Sequence, residues 1–150
     1  MSVTVRAGAS AEELYALVSD VERMGEWSPE NVGGRWLGGA TGPAVGARFS
    51  GANRRGWRRW STTCTVTAAE AGRKFAFDVA FTAIPVSRWT YEFHPDGDAT
   101  VVTESWTDRR PAWFVLMTKP TMGVGDVRAH NEDNIRKTLA NLAAAAERRS

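Results

Sequence analysis

The sequence predicts an α+β fold, in which a curved antiparallel sheet of about seven strands is covered on its concave face by one long C-terminal helix. Three observations predict it. Segments rich in β-branched and aromatic residues follow one another with short turns between them, which is typical of an antiparallel meander. Two capping patterns place short helices after the first strand. The 28 residues from Met122 to Arg149 carry an apolar stripe at the helical period.

The N-terminal elements are predicted to be one strand and two short helices. The opening VTVRA has the pattern of a short edge strand. Ser10 and Glu13 have the spacing of a capping box, in which each side chain satisfies a free backbone N–H at the start of a helix. Ser19 and Glu22 repeat that spacing before a second short helix, which Gly25 is suited to end.

Six further segments with strand character follow, separated by turns rich in glycine and proline. They lie at 32–37, 47–52, 57–69, 74–81, 86–94 and 99–108. The segment 74–81 alternates strictly, with Phe75, Phe77, Val79 and Phe81 on one face. In the last strand Val102, Glu104 and Trp106 share a face. A β-bulge would exchange the two faces beyond it.

The closing helix changes character along its length. Its second half has an apolar stripe formed by Ile135, Leu139, Leu142 and Ala146. Continued backwards at the same period, the stripe meets Asn131, Arg128 and Val124. A helix that packs only against a core keeps its stripe apolar throughout. We therefore expect the first half of this helix to face a cavity.

The composition is typical of one soluble domain. A chain of 150 residues is large enough for a hydrophobic core, and we expect a single domain over 1–150. The single cysteine, Cys64, excludes an internal disulfide framework, and a formal charge of +2 does not indicate a polyanionic partner. The N-terminus lacks a signal-peptide pattern, and no apolar run approaches the roughly 20 residues that span a bilayer. We therefore expect a cytoplasmic protein.

Four segments resemble elements of a known superfamily: SDVERMGEWSPE, VGARFSGANRR, GRKFAFDV and NEDNIRKTLANLAAAAER. With the order of elements, they resemble the helix-grip fold of the SRPBCC superfamily, which includes START domains and birch-pollen allergens. The resemblance is closest to the actinobacterial branch labelled polyketide cyclase/dehydrase and lipid transport. It implies a cavity between sheet and helix. Members carry lipids, bind hormones, cyclise polyketides or serve as oxygenase domains, so the fold alone does not choose among these roles.

The candidate ligand-binding residues are mostly aromatic side chains on the expected concave face. A flat hydrophobic ligand would lie against such rings, and ordinary core packing is the alternative. These residues are Trp60, Phe75, Phe77, Trp89, Tyr91 and Trp106. In a helix-grip protein Trp27 would lie near the floor or entrance of the cavity, or it would plug one end of the core. On the helix, Asn131 and Ile135 are expected to face the same ligand.

Glu104 and Arg128 are the candidate catalytic residues. A carboxylate that points into an apolar pocket has a raised pKa and can donate or accept a proton near neutral pH. Arg128 and Asn131 on the helix are its natural partners, and Arg128 would polarise a substrate carbonyl. In the alternative interpretation Glu104 lies on the outer face of the sheet or in a structural ion pair with Arg128.

The segment 109–123 joins the last strand to the closing helix. Pro111 and Pro120 indicate irregular backbone here. Its apolar run contains three further candidate ligand-binding residues, Trp113, Phe114 and Met117. Such a run must be buried, cover an opening or meet a partner, and a lid over the cavity is the preferred interpretation. A short helix packed as core, and membrane docking by the run and its basic flanks, are the alternatives.

Three other kinds of site are disfavoured. Arginines at 54, 55, 58 and 59 interleave with two tryptophans, but they form no stripe along the chain, so a solvated hairpin is preferred over nucleic-acid binding. His94 lies at a turn and His130 on the outer side of the helix by its period, and they share no metal-ligand spacing. The chain has no phosphate loop, dinucleotide fingerprint or nucleophile elbow. No metal and no cofactor are therefore expected.

The sequence thus predicts a protein that binds a small hydrophobic or aromatic molecule, lipid-like or polyketide-like, between the sheet and the C-terminal helix. The alternative is a polyketide cyclase or dehydratase that acts by acid–base catalysis in the same cavity. A third interpretation, a toxin-like or regulatory interaction protein, depends on the apolar run alone. The expected partner is a small molecule rather than a nucleic acid, and membrane contact is less favoured.

Overall fold

A computed structural model describes residues 1–149 except residue 30 and residues 123–126, with side chains left out at 118–122, 127–128 and 149. In chain order the elements are β1 (Ser2–Ala7), α1 (Ala11–Ser19), a 3₁₀ helix (Val21–Glu26), β2 (Asn31–Trp36), β3 (Arg48–Arg55), β4 (Arg58–Glu70), β5 (Lys74–Phe81), β6 (Ile84–Asp96), β7 (Ala99–Asp108), α2 (Ala112–Met122) and α3 (Val127–Arg149). The predicted order of one strand, two short helices, six strands and a long closing helix is confirmed, with the additional helix α2 between β7 and α3.

In the described part of the chain, the strands form one antiparallel sheet of seven, in the order β1-β7-β6-β5-β4-β3-β2. Each strand from β2 to β7 pairs with its neighbour in sequence, as a meander requires. β1 pairs instead with β7, with Val3 opposite Glu104. The two short helices between β1 and β2 carry the chain from one edge of the sheet to the other. The α+β prediction, with a long C-terminal helix, is confirmed.

The first capping pattern forms as predicted, but the second does not. The Ser10 hydroxyl oxygen accepts a hydrogen bond from the Glu13 backbone N–H at 3.1 Å. Ser19 is instead the last residue of α1, and its buried hydroxyl donates to the Tyr15 carbonyl oxygen at 2.8 Å. Serine often makes this bond within a helix, and the bond removes Ser19 from any capping role.

Gly25 lies inside the 3₁₀ helix and does not end it. A Cβ atom at this position would come within 2.9 Å of the Asn31 carbonyl oxygen. Glycine is therefore needed because the 3₁₀ helix lies directly against the backbone of β2, and the prediction of a helix-ending role was wrong.

The core lies between the concave face of the sheet, α1 and α3. The predicted apolar stripe of α3 is confirmed, because Ile135, Leu139, Leu142 and Ala146 are all buried. From α1, the Tyr15 ring packs edge-on against Phe75 and Phe93, each with its centroid 6.2 Å away. This end of the concave face is filled by side chains.

A register shift lies between β5 and β6, where Val79 pairs with Ser87 but Ala80 pairs with Pro85. The extra residue, Val86, belongs to β6, so the alternation of β5 itself is not interrupted. Phe75, Phe77 and Val79 are buried, whereas Phe81, the last residue of β5, is 37% exposed. Phe81 therefore does not extend the buried row, because it lies beside the turn into β6.

The segment predicted to be irregular contains α2. Pro111 directly precedes the helix, and its carbonyl oxygen accepts hydrogen bonds from the N–H groups of Phe114 and Val115. Proline is favoured at a helix start because its missing N–H would be unsatisfied there anyway. The apolar run is not packed as core, since Leu116 is 75% and Met117 71% exposed. Among the described residues, no helix is long and apolar enough to cross a bilayer.

Candidate functional site

A cavity of about 240 Å³ lies between the sheet and the first half of α3. Its walls come from β2 to β7, from the turn after the 3₁₀ helix and from α3. It occupies the part of the concave face that α1 does not reach. Half of the described strand residues that line it are aromatic or aliphatic, and polar side chains come from the strands and from α3.

Most of the predicted ligand-binding residues face this cavity. They are Trp60, Phe77, Trp89, Tyr91, Trp106, Asn131 and Ile135. The rings of Trp89 and Trp106 lie opposite one another on β6 and β7, and the Trp89 indole N–H donates to the Ser87 hydroxyl at 3.0 Å. Alternation along these strands therefore identified the face correctly.

Five predicted residues are not among the described residues that line the cavity: Trp27, Phe75, Trp113, Phe114 and Met117. Trp27 is buried in the core, and its carbonyl oxygen accepts a hydrogen bond from the Asn141 amide at 3.0 Å. Phe75 shares a strand face with Phe77, but the Tyr15 ring occupies the space in front of it. The other three belong to α2, where the rings of Trp113 and Phe114 pack against each other.

Glu104 points inward, which contradicts the alternative that placed it on the outer face. Only 2% of the residue is exposed, and its Oε1 atom has no hydrogen-bond partner among the described residues. Burial raises the pKa of its carboxyl group to about 8, and hydrogen bonding by Tyr91 opposes part of that change. The side chain of Arg128, its predicted partner, lies outside the described residues.

Tyr91 lies opposite Glu104 on the neighbouring strand. Burial, and then the charge of Glu104, raise the pKa of its hydroxyl well above the ordinary value. At neutral pH the carboxyl is mostly protonated and the hydroxyl is neutral. The pair therefore offers a ligand both O–H donors and oxygen acceptors without a full charge.

The face of α3 that lines the cavity is polar and wider than predicted. It consists of His130, Asn131, Asn134, Ile135 and Thr138. The prediction that His130 faces outward was wrong, because a lining helix contributes a broad stripe rather than one row of residues. His130 Nε2 lies 3.3 Å from the Asn134 amide nitrogen. Asn131, Asn134 and Thr138 follow one another at helical spacing, and this signal was present in the sequence.

Polar side chains also line the opposite end of the cavity. Asn31, Asn53 and Trp60 lie side by side on β2, β3 and β4. The Asn53 amide donates to the Thr62 hydroxyl at 3.4 Å. Asparagine is uncommon within strands, so two asparagines on neighbouring strands were a usable signal that sequence analysis missed.

Two arginines also line the cavity. Arg110 forms a bidentate ion pair with Asp108, the last residue of β7, with a shortest distance of 2.7 Å. The guanidinium of Arg55, at the end of β3, lies 5.8 Å from the centre of the Trp60 ring.

The remaining candidates are the cysteine and the possible metal-binding side chains. Cys64 is buried in the cavity wall, and burial raises the pKa of its thiol to about 12, so the thiol stays neutral. Within the part of the chain that is described, no three histidine, cysteine or acidic side chains form a group able to hold a metal ion.

The fold and cavity define the class of protein, a helix-grip protein with a single long helix closing a curved sheet. The family model described as polyketide cyclase/dehydrase and lipid transport matches residues 1–147, and the chain belongs to that family. No curated protein sequence matches the chain significantly.

Solved structures share the fold. The Polyketide_cyc-like protein Cgl2372 from Corynebacterium glutamicum is 31% identical, with a TM-score of 0.55 over 98% of this chain and 84% of that protein. The di-domain ARO/CYC StfQ from the steffimycin biosynthetic pathway is 15% identical, with a TM-score of 0.73 over 99% of this chain. The chain spans only 45% of StfQ. A STAR-related lipid transfer protein from Xanthomonas axonopodis is 16% identical, with a TM-score of 0.68 over 97% of this chain and 84% of that one.

Proposed function

We propose that this protein binds a small hydrophobic or aromatic molecule, lipid-like or polyketide-like, in the cavity between the sheet and α3. One observation carries the proposal: a buried carboxyl oxygen of Glu104 without a described partner faces a cavity whose middle is walled by aromatic rings. A buried polar atom left unpaired costs about 1–3 kcal/mol, and a ligand that supplies its partner recovers this energy. Membership of the family and the shared fold support the same function.

The size of the cavity limits the ligand. Its volume of about 240 Å³ lies below that of typical ligand cavities, which hold about 300–1,000 Å³, so a compact ligand is favoured. A two-ring aromatic body that buries about 200 Å² of apolar surface gains roughly 5 kcal/mol. Lost translational and rotational freedom offsets much of that gain. The polar groups at the two ends are therefore needed for both affinity and selectivity.

The experiment is native mass spectrometry of the intact protein with lipid and aromatic libraries, repeated on a matched pair of variants. Asn134→Trp places a large ring on the cavity face of α3, and Ala140→Trp places the same ring on its exposed face. We expect Asn134→Trp to lose ligand adducts and Ala140→Trp to keep them. Adducts that survive equally in both variants would place the ligand elsewhere and contradict the proposal.

The second candidate function is a cyclase or dehydratase in the same cavity, favoured by the raised pKa of Glu104, which suits proton transfer near neutral pH. In the dehydration of a β-hydroxy ketone, the carboxylate form would take a proton from the carbon between the ketone and the hydroxyl-bearing carbon. A carbon–carbon double bond would then form as the C–O bond breaks, and the protonated acid would return the proton to the departing hydroxyl group, which leaves as water. Arg128 is the proposed group that polarises the ketone.

Recovery of the bound molecule separates the two functions. A ligand that leaves with its mass unchanged supports binding alone, whereas loss of one water supports dehydration. In the enzymatic case, Glu104→Gln should stop the mass change but leave the adduct in the native spectrum. A Gln variant that still releases dehydrated product would remove Glu104 from the mechanism.

A further inference from the structure

The register of the sheet orders the chemistry of the cavity from one end to the other. At the inner end, Glu104 lies beside Tyr91, and both are buried. The next inward-facing row consists of Trp106, Trp89 and Phe77. Val79, Cys64 and Phe49 form the row after that, with Ser87 of β6 beside Val79. At the outer end, Trp60 lies beside Asn53, followed by Arg55. On the sheet, the lining is thus polar at both ends and mostly apolar between them, whereas the α3 side of the cavity is polar.

The two polar ends differ in charge. The arginines of the described lining are Arg55, at the outer end, and Arg110, six residues beyond Glu104 along the chain. Glu104 Oε1 has no hydrogen-bond partner among the described residues, and the neighbour of Glu104 on β6 is Tyr91. An anionic group pressed against Glu104 would lose its hydration and find no described arginine or lysine beside it. A neutral hydroxyl or carbonyl group would meet both a donor and an acceptor.

We propose that this cavity selects ligands by the group that they place at its inner end. A neutral hydrogen-bonding group, such as a phenol or alcohol hydroxyl, lies against Glu104 and Tyr91, while any anionic group stays at the outer end. This inference rests on the proposed function and narrows the ligand class. Lipids and aromatic acids that would bury a carboxylate or phosphate at the inner end are rejected in that orientation. The apolar body of the ligand lies against the indole rings of Trp89 and Trp106.

The test uses three bicyclic probes that differ in one substituent: naphthalene, 2-naphthol and 2-naphthoate. Affinities are measured by calorimetry at pH 6.5 and checked by tryptophan fluorescence. We expect the wild-type protein to bind 2-naphthol about three- to tenfold more tightly than naphthalene, which corresponds to one net hydrogen bond. We expect Glu104→Leu to abolish this preference and leave the affinity for 2-naphthoate unchanged or higher.

Two further variants keep the test independent of folding. Glu104→Gln retains a neutral hydrogen-bonding group, and we expect it to keep the preference for 2-naphthol within about threefold. Glu92→Leu makes the same change as Glu104→Leu on the outer face of β6, next to Tyr91 in sequence, and we expect it to alter no probe affinity. Thermal unfolding followed by circular dichroism checks that every variant is folded.

The outcomes separate this inference from the function on which it rests. Binding of naphthalene without any preference for 2-naphthol would overturn the inference and leave the proposed function standing. The same holds if Glu104→Leu weakens 2-naphthoate as strongly as 2-naphthol, because Glu104 would then support an anion. Failure of all three probes to bind would count against both the inference and the proposed function.

Discussion

The concave face of this sheet has two regions with different contents. At one end Tyr15 of α1 fills the space between Phe75 and Phe93. At the other, where α1 does not reach, Trp89 and Trp106 face a cavity. Both regions are built from similar aromatic strands, so the aromatic residues themselves do not make a binding site. What distinguishes the hollow region is that the covering helix presents short polar side chains where the filled region receives a ring.

The largest effect we expect concerns Glu104 and pH. Its pKa in the folded protein is about 8, against an ordinary value of 4.5, so the folded state holds the proton more tightly than the unfolded state. The stabilising contribution is complete below pH 4.5 and is lost as the pH rises through about 8. It amounts to at most about 5 kcal/mol.

Urea unfolding of the ligand-free protein between pH 5 and pH 8.5 measures this effect, with Glu104→Gln as the reference. The Gln variant retains the other ionisable groups of the described cavity lining, namely Tyr91, Cys64, His130, Arg55 and Arg110. We expect the free energy of unfolding to fall more steeply with pH in the wild-type protein than in the variant. Parallel curves would mean that Glu104 is ionised throughout.

The next effect separates the two regions by stability. Tyr15→Ala removes the ring that fills the space between Phe75 and Phe93, and we expect a loss of about 3–5 kcal/mol in the free energy of unfolding. Trp89→Ala should cost less, about 1–2 kcal/mol, because one side of the indole already faces a cavity and fewer packing contacts are lost. Denaturant unfolding measures both, and equal losses would contradict the distinction between filled and hollow regions.

A smaller effect is expected at the start of α1, which holds Tyr15 in place. Ser10→Ala removes the hydroxyl that accepts the Glu13 N–H, and we expect a loss of about 1 kcal/mol. Ser10→Asp, which also caps a helix start, should restore the stability. The thermal unfolding midpoints of the two variants test this. An unchanged midpoint for Ser10→Ala would mean that the Ser10 cap does not contribute to stability.

The smallest stability effect is expected on α2. Leu116→Ser and Met117→Ser change exposed side chains, and we expect shifts within about 0.5 kcal/mol. If α2 acts as the predicted lid, the same variants should release a bound ligand faster, which stopped-flow fluorescence measures. Unchanged release rates would leave α2 as a surface helix without a part in binding.

The elements that could be predicted from the sequence are those set by local periodicity. Alternation placed Glu104, Trp106 and Tyr91 on the inner face, and the helical period predicted both the apolar stripe of α3 and its polar beginning at Asn131. These patterns depend on residues two to four positions apart, which is why one sequence is enough to recognise them.

The wrong predictions concern features that depend on contacts between distant parts of the chain. The extra residue Val86 in β6 depends on how β6 pairs with β5, and Phe81 is exposed because it lies at the end of β5, beside the turn into β6. Phe75 lost its place at the cavity because Tyr15, from a different element, fills the space before it. His130 was assigned from a single row of the helix, whereas the cavity is bordered by a wider stripe. Periodicity within one element contains no information about such contacts.

The pairing of β1 with β7 has a consequence for how the protein is made. The two strands are about one hundred residues apart in sequence, so β1 has no partner until β7 has been synthesised. On the ribosome, β2 to β6 can form hairpins as they emerge, while β1 stays unpaired at the amino terminus. The row on which Glu104 lies is completed last, and α3 emerges later still. Because α3 forms one wall of the cavity, the binding proposed above requires α3 to have emerged and packed against the sheet.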